Sequence, residues 1–182
     1  MMKKILLLCC VLIGIAIKPI YAQMAAAQQV QWAIDEKLEV PVERDVLWAA
    51  MKDYSLVEKL SNGYVVSLVN KDDIMPILRE AIFKDGSKRE ELLSQVEDQH
   101  RFLVFKLKDT SLPKGIKSAQ FALFTKEKGD AISELNWRVN IEGSKDAKEL
   151  LILQFKAEIE AYKIGYTKYL SKPKSVPAVS MK

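Results

Sequence analysis

Cysteine and histidine are almost missing from this chain: its 182 residues hold two cysteines, Cys9 and Cys10, and one histidine, His100. A structural zinc centre or a Cys/His dyad has nothing to build on, so neither a metal nor a cofactor is expected. A serine triad would have to recruit His100, which stands at a strand start on the parity opposite Arg101, Leu103 and Phe105. The plain reading of His100 is a lone exposed side chain. The few glycines form no phosphate-cradling loop. No basic run is interleaved with aromatics, so nucleic acid is not an expected partner. The longest apolar run, Ile5 to Ile17, is roughly 13 residues, short of the ~20 that a membrane-spanning helix requires.

That run has the parts of a secretory signal instead. Lys3 and Lys4 form the positive start, Ile5 to Ile17 the apolar centre, and Ile20-Tyr21-Ala22 the cleavage site, with the cut after Ala22. A second choice of cut lies at Ala25 to Ala27. Residues 1–22 are thus read as a signal peptide, and the protein as exported to the periplasm or beyond, with no stable transmembrane anchor afterwards. Both cysteines leave with the signal, so the mature chain uses no disulfide although its compartment permits one. Lys3, Lys4 and Lys18 leave too, taking the basic residues from 28 to 25 against 24 acidic ones. The basic character of the whole chain is therefore largely the signal's. Residues 23–170 read as one globular domain. Residues 171–182, with Pro173, Pro177 and several lysines but no apolar period, read as a disordered tail.

Period-two alternation opens the domain. Val30, Trp32, Ile34, Leu38, Val40 and Val42 alternate with more polar neighbours up to Pro41, which marks a strand. Glu36 interrupts it and is read as a bend or bulge. Glu43 to Tyr54 carries Val46, Leu47, Ala50 and Met51 at helical spacing, and Ser55 with Glu58 forms a capping box for a second short helix ending at Asn62-Gly63. Six strands follow: Tyr64 to Asn70, Ile74 to Phe83, Lys88 to Glu97, His100 to Lys108, Ala119 to Lys126 and Ala131 to Glu142. Asp85-Gly86 and Gly129-Asp130 are turn signals between them. The longer loop Asp109 to Ser118 holds Pro113 and Gly115 as hinge material for a gate. Consecutive strands joined by hairpins build an antiparallel sheet with one wet face, and the other face needs a cover.

Ser144 to Leu170 supplies it. Ala147, Leu151, Phe155, Ile159, Tyr162, Tyr166 and Tyr169 fall in one arc of a helical wheel. Asp146 with Glu149 forms a capping box, and Ser144 is a second candidate cap. Roughly 25 residues at about 1.5 Å each make a rod nearly 40 Å long, enough to span the domain. Three buried-face tyrosines each need a partner or water, which points to a shell around a ligand. Leu153, Ala157 and Ile164 fall on the back of this helix, as scattered apolar residues or a weak dimer or membrane contact.

This order of elements resembles the START-like helix-grip (SRPBCC) superfamily, especially its polyketide cyclase/dehydrase and lipid-transport branch. The residues that carry the resemblance are Arg79, the Asp85-Gly86 turn, Glu91, Phe105 and Trp137, with an opening stretch from Leu38 through Pro41-Val42 and Trp48 to Asp53. One departure is Ile74-Met75-Pro76-Ile77, where the family commonly has glycines. The resemblance implies an α+β helix-grip fold: a curved antiparallel sheet of about seven strands around a long C-terminal helix, with two short helices after strand one. It also implies a cavity between sheet and helix that binds apolar or amphipathic molecules.

Leu103, Phe105 and Leu107 share one face of their strand, and Leu135, Trp137, Val139 and Ile141 share one face of theirs. Phe105, Phe121, Trp137, Phe155, Tyr162 and Tyr166, with Leu103 and Leu107, are the expected apolar lining, while Trp32 and Trp48 are expected in plain core. Arg79 and Glu91 flank the turn and become cross-strand partners if its loop has three residues. They then orient a ligand headgroup, or form a structural salt bridge; a register slip of one residue would leave both solvated. Glu158 lies within the helix's apolar arc and either faces the cavity or bridges to a sheet cation. Three functions fit: a carrier of a small hydrophobic ligand, a cyclase or dehydrase with Glu91 or Glu158 as base and Arg79 as oxyanion stabiliser, or an interaction module with a filled core. Oligomeric state is not encoded in any pattern found. N-terminal sequencing of the exported protein is expected to begin at Gln23; a chain still carrying Lys3 and Lys4 would overturn the signal-peptide reading.

Overall fold

A computed structural model describes residues 31–171. The signal peptide, both cysteines and all of the expected tail beyond Ser171 lie outside the described residues. The strands are β1 (Ile34–Val40), β2 (Val65–Asn70), β3 (Ile77–Phe83), β4 (Lys88–Glu97), β5 (Phe102–Leu107), β6 (Ile116–Gly129) and β7 (Ile132–Gly143). The helices are α1 (Arg44–Lys52), α2 (Val57–Leu60) and α3 (Lys145–Leu170), with 3-10 turns at Tyr54–Leu56 and Asp109–Ser111. All strands form one antiparallel sheet in the order β1-β7-β6-β5-β4-β3-β2. Register shifts between Val65 and Ser67, Leu93 and Gln95, Ile116 and Ser118, and Glu127 and Gly129 bend it around the helix. The fold is the expected α+β helix grip.

Local differences from the sequence reading have physical causes. Glu36 makes no bulge, since β1 pairs with β7 without interruption from Ile34↔Val139 to Val40↔Ser133. Its carboxylate stays on the inward parity because Lys163 of α3 meets it at 2.7 Å. Ser55 and Glu58 form no capping box; the Asp53 carboxylate accepts from the Ser55 backbone N–H at 3.0 Å and caps the 3-10 turn instead. At α3 the N-cap position is Ser144, without a side-chain cap bond, and Asp146 lies in the first turn. β3 starts at Ile77 rather than Ile74, because Pro76 has no N–H for the ladder and the Asp72 carboxylate takes the Leu78 N–H at 3.0 Å. β5 starts at Phe102, leaving exposed His100 in the preceding turn with its carbonyl accepting from Arg44. β6 runs from Ile116 and is much longer than read.

The 26-residue α3 is about 39 Å long. Leu151, Phe155, Ile159, Tyr166 and Leu170 are buried against the concave face, where they meet Leu103, Phe105, Leu135, Trp137, Val139 and Ile141. Trp48 is buried as expected, while Trp32 is only half-buried, beneath Arg138. Leu153 and Ile164 are exposed on the helix's back. The helix backbone comes closest to β1, β7 and α2. The contact with α2 depends on Gly165, where an added Cβ would lie 2.1 Å from the Leu60 carbonyl oxygen. Backbone atoms cannot rotate away as side chains do. Gly165→Ala is therefore expected to lower stability by about 1–3 kcal/mol despite alanine's better helix propensity, as read from urea unfolding.

Candidate functional site

The β3–β4 hairpin has a three-residue loop, Lys84-Asp85-Gly86, closed by Phe83 N–H donating to the Ser87 carbonyl at 2.9 Å. Gly86 takes φ +83° there, and the Asp85 carboxylate accepts from the Ser87 N–H and hydroxyl. This loop length sets Arg79 opposite Glu91 and Ala81 opposite Arg89. Period two then puts Arg79, Glu91 and Arg89 on one inward face.

There they form a continuous chain of charge. Arg79 donates from Nε and Nη2 to Glu91 Oε2 at 2.9 and 2.6 Å. Arg89 donates from Nε and Nη2 to Glu91 Oε1 at 2.9 and 2.6 Å. The other edge of Arg89 grips Glu158 of α3 through Nη1 to Oε2 at 2.7 Å and Nη2 to Oε1 at 2.9 Å. Glu91 is 1% exposed, Arg79 6% and Glu158 7%, so these pairs are desolvated and the bidentate geometry matters. Aromatic faces complete the setting: Arg79 lies 3.7 Å from the Phe105 ring centre, and Arg89 lies 4.8 Å from Phe83 and 5.3 Å from Phe155. Two positive and two negative groups cancel.

The pKa directions follow from this geometry. Burial alone would raise the Glu91 carboxyl, but Arg79 and Arg89 outweigh it by charge and hydrogen bonding and hold it below the usual carboxylate value. Burial opposes the Arg89 charge, and Glu158 and Glu91 more than compensate, keeping it above its usual value. Burial, and then the neighbouring Glu158 charge, push the Tyr162 phenol well up; burial alone raises Tyr166.

Two hollows lie beside this chain. The inner chamber, of about 80 Å³, is lined by Arg79, Glu91, Leu103, Phe105, Phe121, Trp137, Phe155, Glu158, Tyr162 and Tyr166, all expected from the sequence. Tyr54, Met51 and Leu68 also line it and were not expected. The outer hollow, of about 630 Å³, runs between the β3–β4 turn, the loop after β5 and the first half of α3. Leu107 was expected in the chamber but lines this outer hollow, since it stands across from Glu91 near the end of β5, beyond Phe105. Glu158 borders both hollows and Arg89 the outer one, so their ion pair belongs to the wall between them.

Arg89 is the member of the charge chain that sequence reasoning missed. It lies within Lys88-Arg89-Glu90-Glu91, which looks like a solvated charge run. Its shared parity with Glu91 and Leu93 was the available signal. The loop after β5 is pinned: Glu90 takes Lys108 at 3.0 Å and Thr110 at 3.1 Å, and Ser111 Oγ accepts from the Glu90 N–H at 2.8 Å. Ser111 and Pro113 of that loop line the outer hollow. Among the described residues no group of three or more His, Cys, Asp or Glu side chains is placed to hold a metal, and no helix is long and apolar enough to cross a membrane.

Replacing the central carboxylate by a neutral amide of the same shape leaves two buried arginines without their shared counter-charge. Glu91→Gln is expected to cost about 3–5 kcal/mol at pH 7 in urea unfolding. Because the folded pKa is depressed, Glu91's contribution is full above the unfolded value near 4.5 and is lost as pH falls through the lower folded value. The gap between wild type and Glu91→Gln should therefore narrow below about pH 4.5; a gap constant with pH would show that the ionised carboxylate is not what stabilises.

No protein-family model matches this sequence, and no curated protein matches it. Solved structures do. XoxI from Bacillus cereus superimposes with a TM-score of 0.64 at 16% identity, covering 75% of this chain and 94% of that one. Norcoclaurine synthase from Thalictrum flavum gives 0.63 at 14% identity, covering 77% and 86%. The same enzyme in complex with dopamine and hydroxybenzaldehyde gives 0.58 at 15% identity, covering 76% and 88%. What the likeness shows at these identities is architecture: this chain has the helix-grip fold.

Proposed function

We propose that the protein is an exported binder or carrier of a small hydrophobic or amphipathic molecule, lipid or polyketide-like, held between the sheet and α3. The observation that carries this reading is the apolar chamber beneath α3, where the buried Arg79, Glu91 and Glu158 converge from β3, β4 and the helix. Apolar lining supplies affinity at about 25 cal/mol per Å² before ordering costs, and a few polar groups set orientation. Size limits how a ligand fits. The chamber's 80 Å³ is below the ~150 Å³ in which benzene is held, whereas the outer hollow is in the range of drug-sized sites. A ligand of lipid length fits by occupying the outer hollow and parting the Arg89–Glu158 wall. The helix-grip likeness to a synthase holding two small aromatic molecules supports a small organic ligand, and the order Arg79, turn, Glu91, Phe105, Trp137 supports the polyketide cyclase/dehydrase and lipid-transport branch.

The cyclase or dehydrase alternative requires a chamber carboxylate as general base. Glu91 is the wrong kind of carboxylate for that, being ionised, doubly paired and held at a lowered pKa. Native mass spectrometry of the protein purified from its own envelope tests the proposal. A retained small molecule of defined mass is expected, together with its loss on unfolding. Repeated recovery of the bare polypeptide mass at gentle collision energies would remove the carrier reading.

A further inference from the structure

One side chain stands in both hollows. Glu158 lines the inner chamber and the outer hollow alike, and Arg89 lines the outer one. The two edges of the Arg89 guanidinium have different partners. Its Nε–Nη2 edge is held by Glu91 of the same strand at 2.9 and 2.6 Å, while its Nη1–Nη2 edge meets Glu158 of α3 at 2.7 and 2.9 Å. Glu91 is locked in place, because it is almost fully buried and Arg79 grips its other oxygen. Glu158 is not. Among the described residues its carboxylate accepts hydrogen bonds from Arg89 alone. It also borders a hollow of about 630 Å³ whose rim holds the exposed Lys84, Asp85 and Ser87, so a way out to water lies beside it.

We propose that the Nη1–Nη2 edge of Arg89 is the head site for an amphipathic carboxylate, and that Glu158 is its placeholder, leaving Arg89 when the ligand's carboxylate arrives. A carboxylate reproduces the two parallel N–H···O bonds that Glu158 makes. Charge balances through the exchange: Arg79, Arg89, Glu91 and the ligand again cancel, while the released Glu158 carboxylate turns into the outer hollow and regains water. An alcohol in that place would leave a buried guanidinium short of its counter-charge, and an ammonium would be repelled by it. The apolar body lies in the outer hollow against Tyr64, Phe83, Leu107, Pro113 and Leu151, so the 80 Å³ chamber does not have to admit it. Lys84 and Lys88 at the turn favour an approaching anion and Asp85 opposes it, so the turn by itself selects no charge. Selection falls to Arg89. This rests on the reading of the protein as a ligand carrier and names the head group that it takes.

The test is calorimetric titration of decanoate, decanol and decylamine at pH 7 into the exported protein and into its Glu158→Gln variant, which keeps the placeholder's shape and removes its charge. Decanoate is expected to bind the variant about tenfold more tightly than the wild type, and at least about tenfold more tightly than decylamine, while decanol binds both proteins equally. Glu149→Gln removes an equal charge from an exposed position of the same helix outside both hollows, and is expected to change decanoate binding by less than about twofold. The exchange is read directly in wild-type protein carrying ¹³C at the glutamate side-chain carboxyls. Saturation with decanoate is expected to move the Glu158 signal and leave that of Glu91 in place. No gain for decanoate in Glu158→Gln, an equal gain for decanol, or the same gain in Glu149→Gln overturns the proposal and leaves the carrier reading standing. Should Glu158→Gln fail to fold, the wild-type spectrum decides, and a Glu158 signal unmoved at saturation overturns the proposal. Absence of decanoate binding to either protein also overturns it, and the native mass spectrum then decides the carrier reading separately.

Discussion

A carboxylate that is 1% exposed persists under α3 because two arginines reach it from either side, and the rest of the architecture is arranged so that they can. Glu91 needs Arg79 across the ladder and Arg89 two residues away on its own strand. Both requirements are met by one parameter, the length of the Lys84–Gly86 loop. A slip of one residue would turn Arg79 or the Glu91–Arg89 pair out to solvent and strand the other as an unpaired buried charge. Register is thereby enforced by electrostatics as well as by hydrophobic pattern.

The fourth charge extends that constraint to the helix. α3 lies close to β1 and β7 along one side and is held to α2 at its C-terminal half through Gly165. Toward the hairpin the connection is polar: Arg89 of β4 holds Glu158 with two bonds. An ion pair there spans a gap that apolar side chains would otherwise have to fill. It also leaves a chamber on one side and a larger hollow on the other, both bordered by Glu158. Such a pair is a different kind of wall from packed leucines, because its strength depends on exclusion of water and on the charge state of its partners.

Much of this was legible beforehand. Period-two alternation in β4 and β7 and the turn residues Asp85-Gly86 located the sheet, and the arc from Leu151 to Tyr166 located the helix and its buried face. Aromatic and charged residues at the chamber were found through the same parities. Misreadings cluster where a side chain answers to a distant partner. Glu36 broke the strand pattern in sequence, yet it keeps its register because Lys163 lies across from it. Ser55 and Glu58 matched a capping box, but Asp53 was nearer in the folded turn.

Local periodicity and turn chemistry are enough to set the elements, their order and the apolar face of each. Tertiary structure alone decided that Arg89 belongs inside, that Glu158 pairs with it across 69 residues of chain, and that Leu107 lines the outer hollow rather than the chamber. The physical reason is that a charged residue's place depends on whether an opposite charge awaits it, and that partner is brought near only when the helix closes over the sheet.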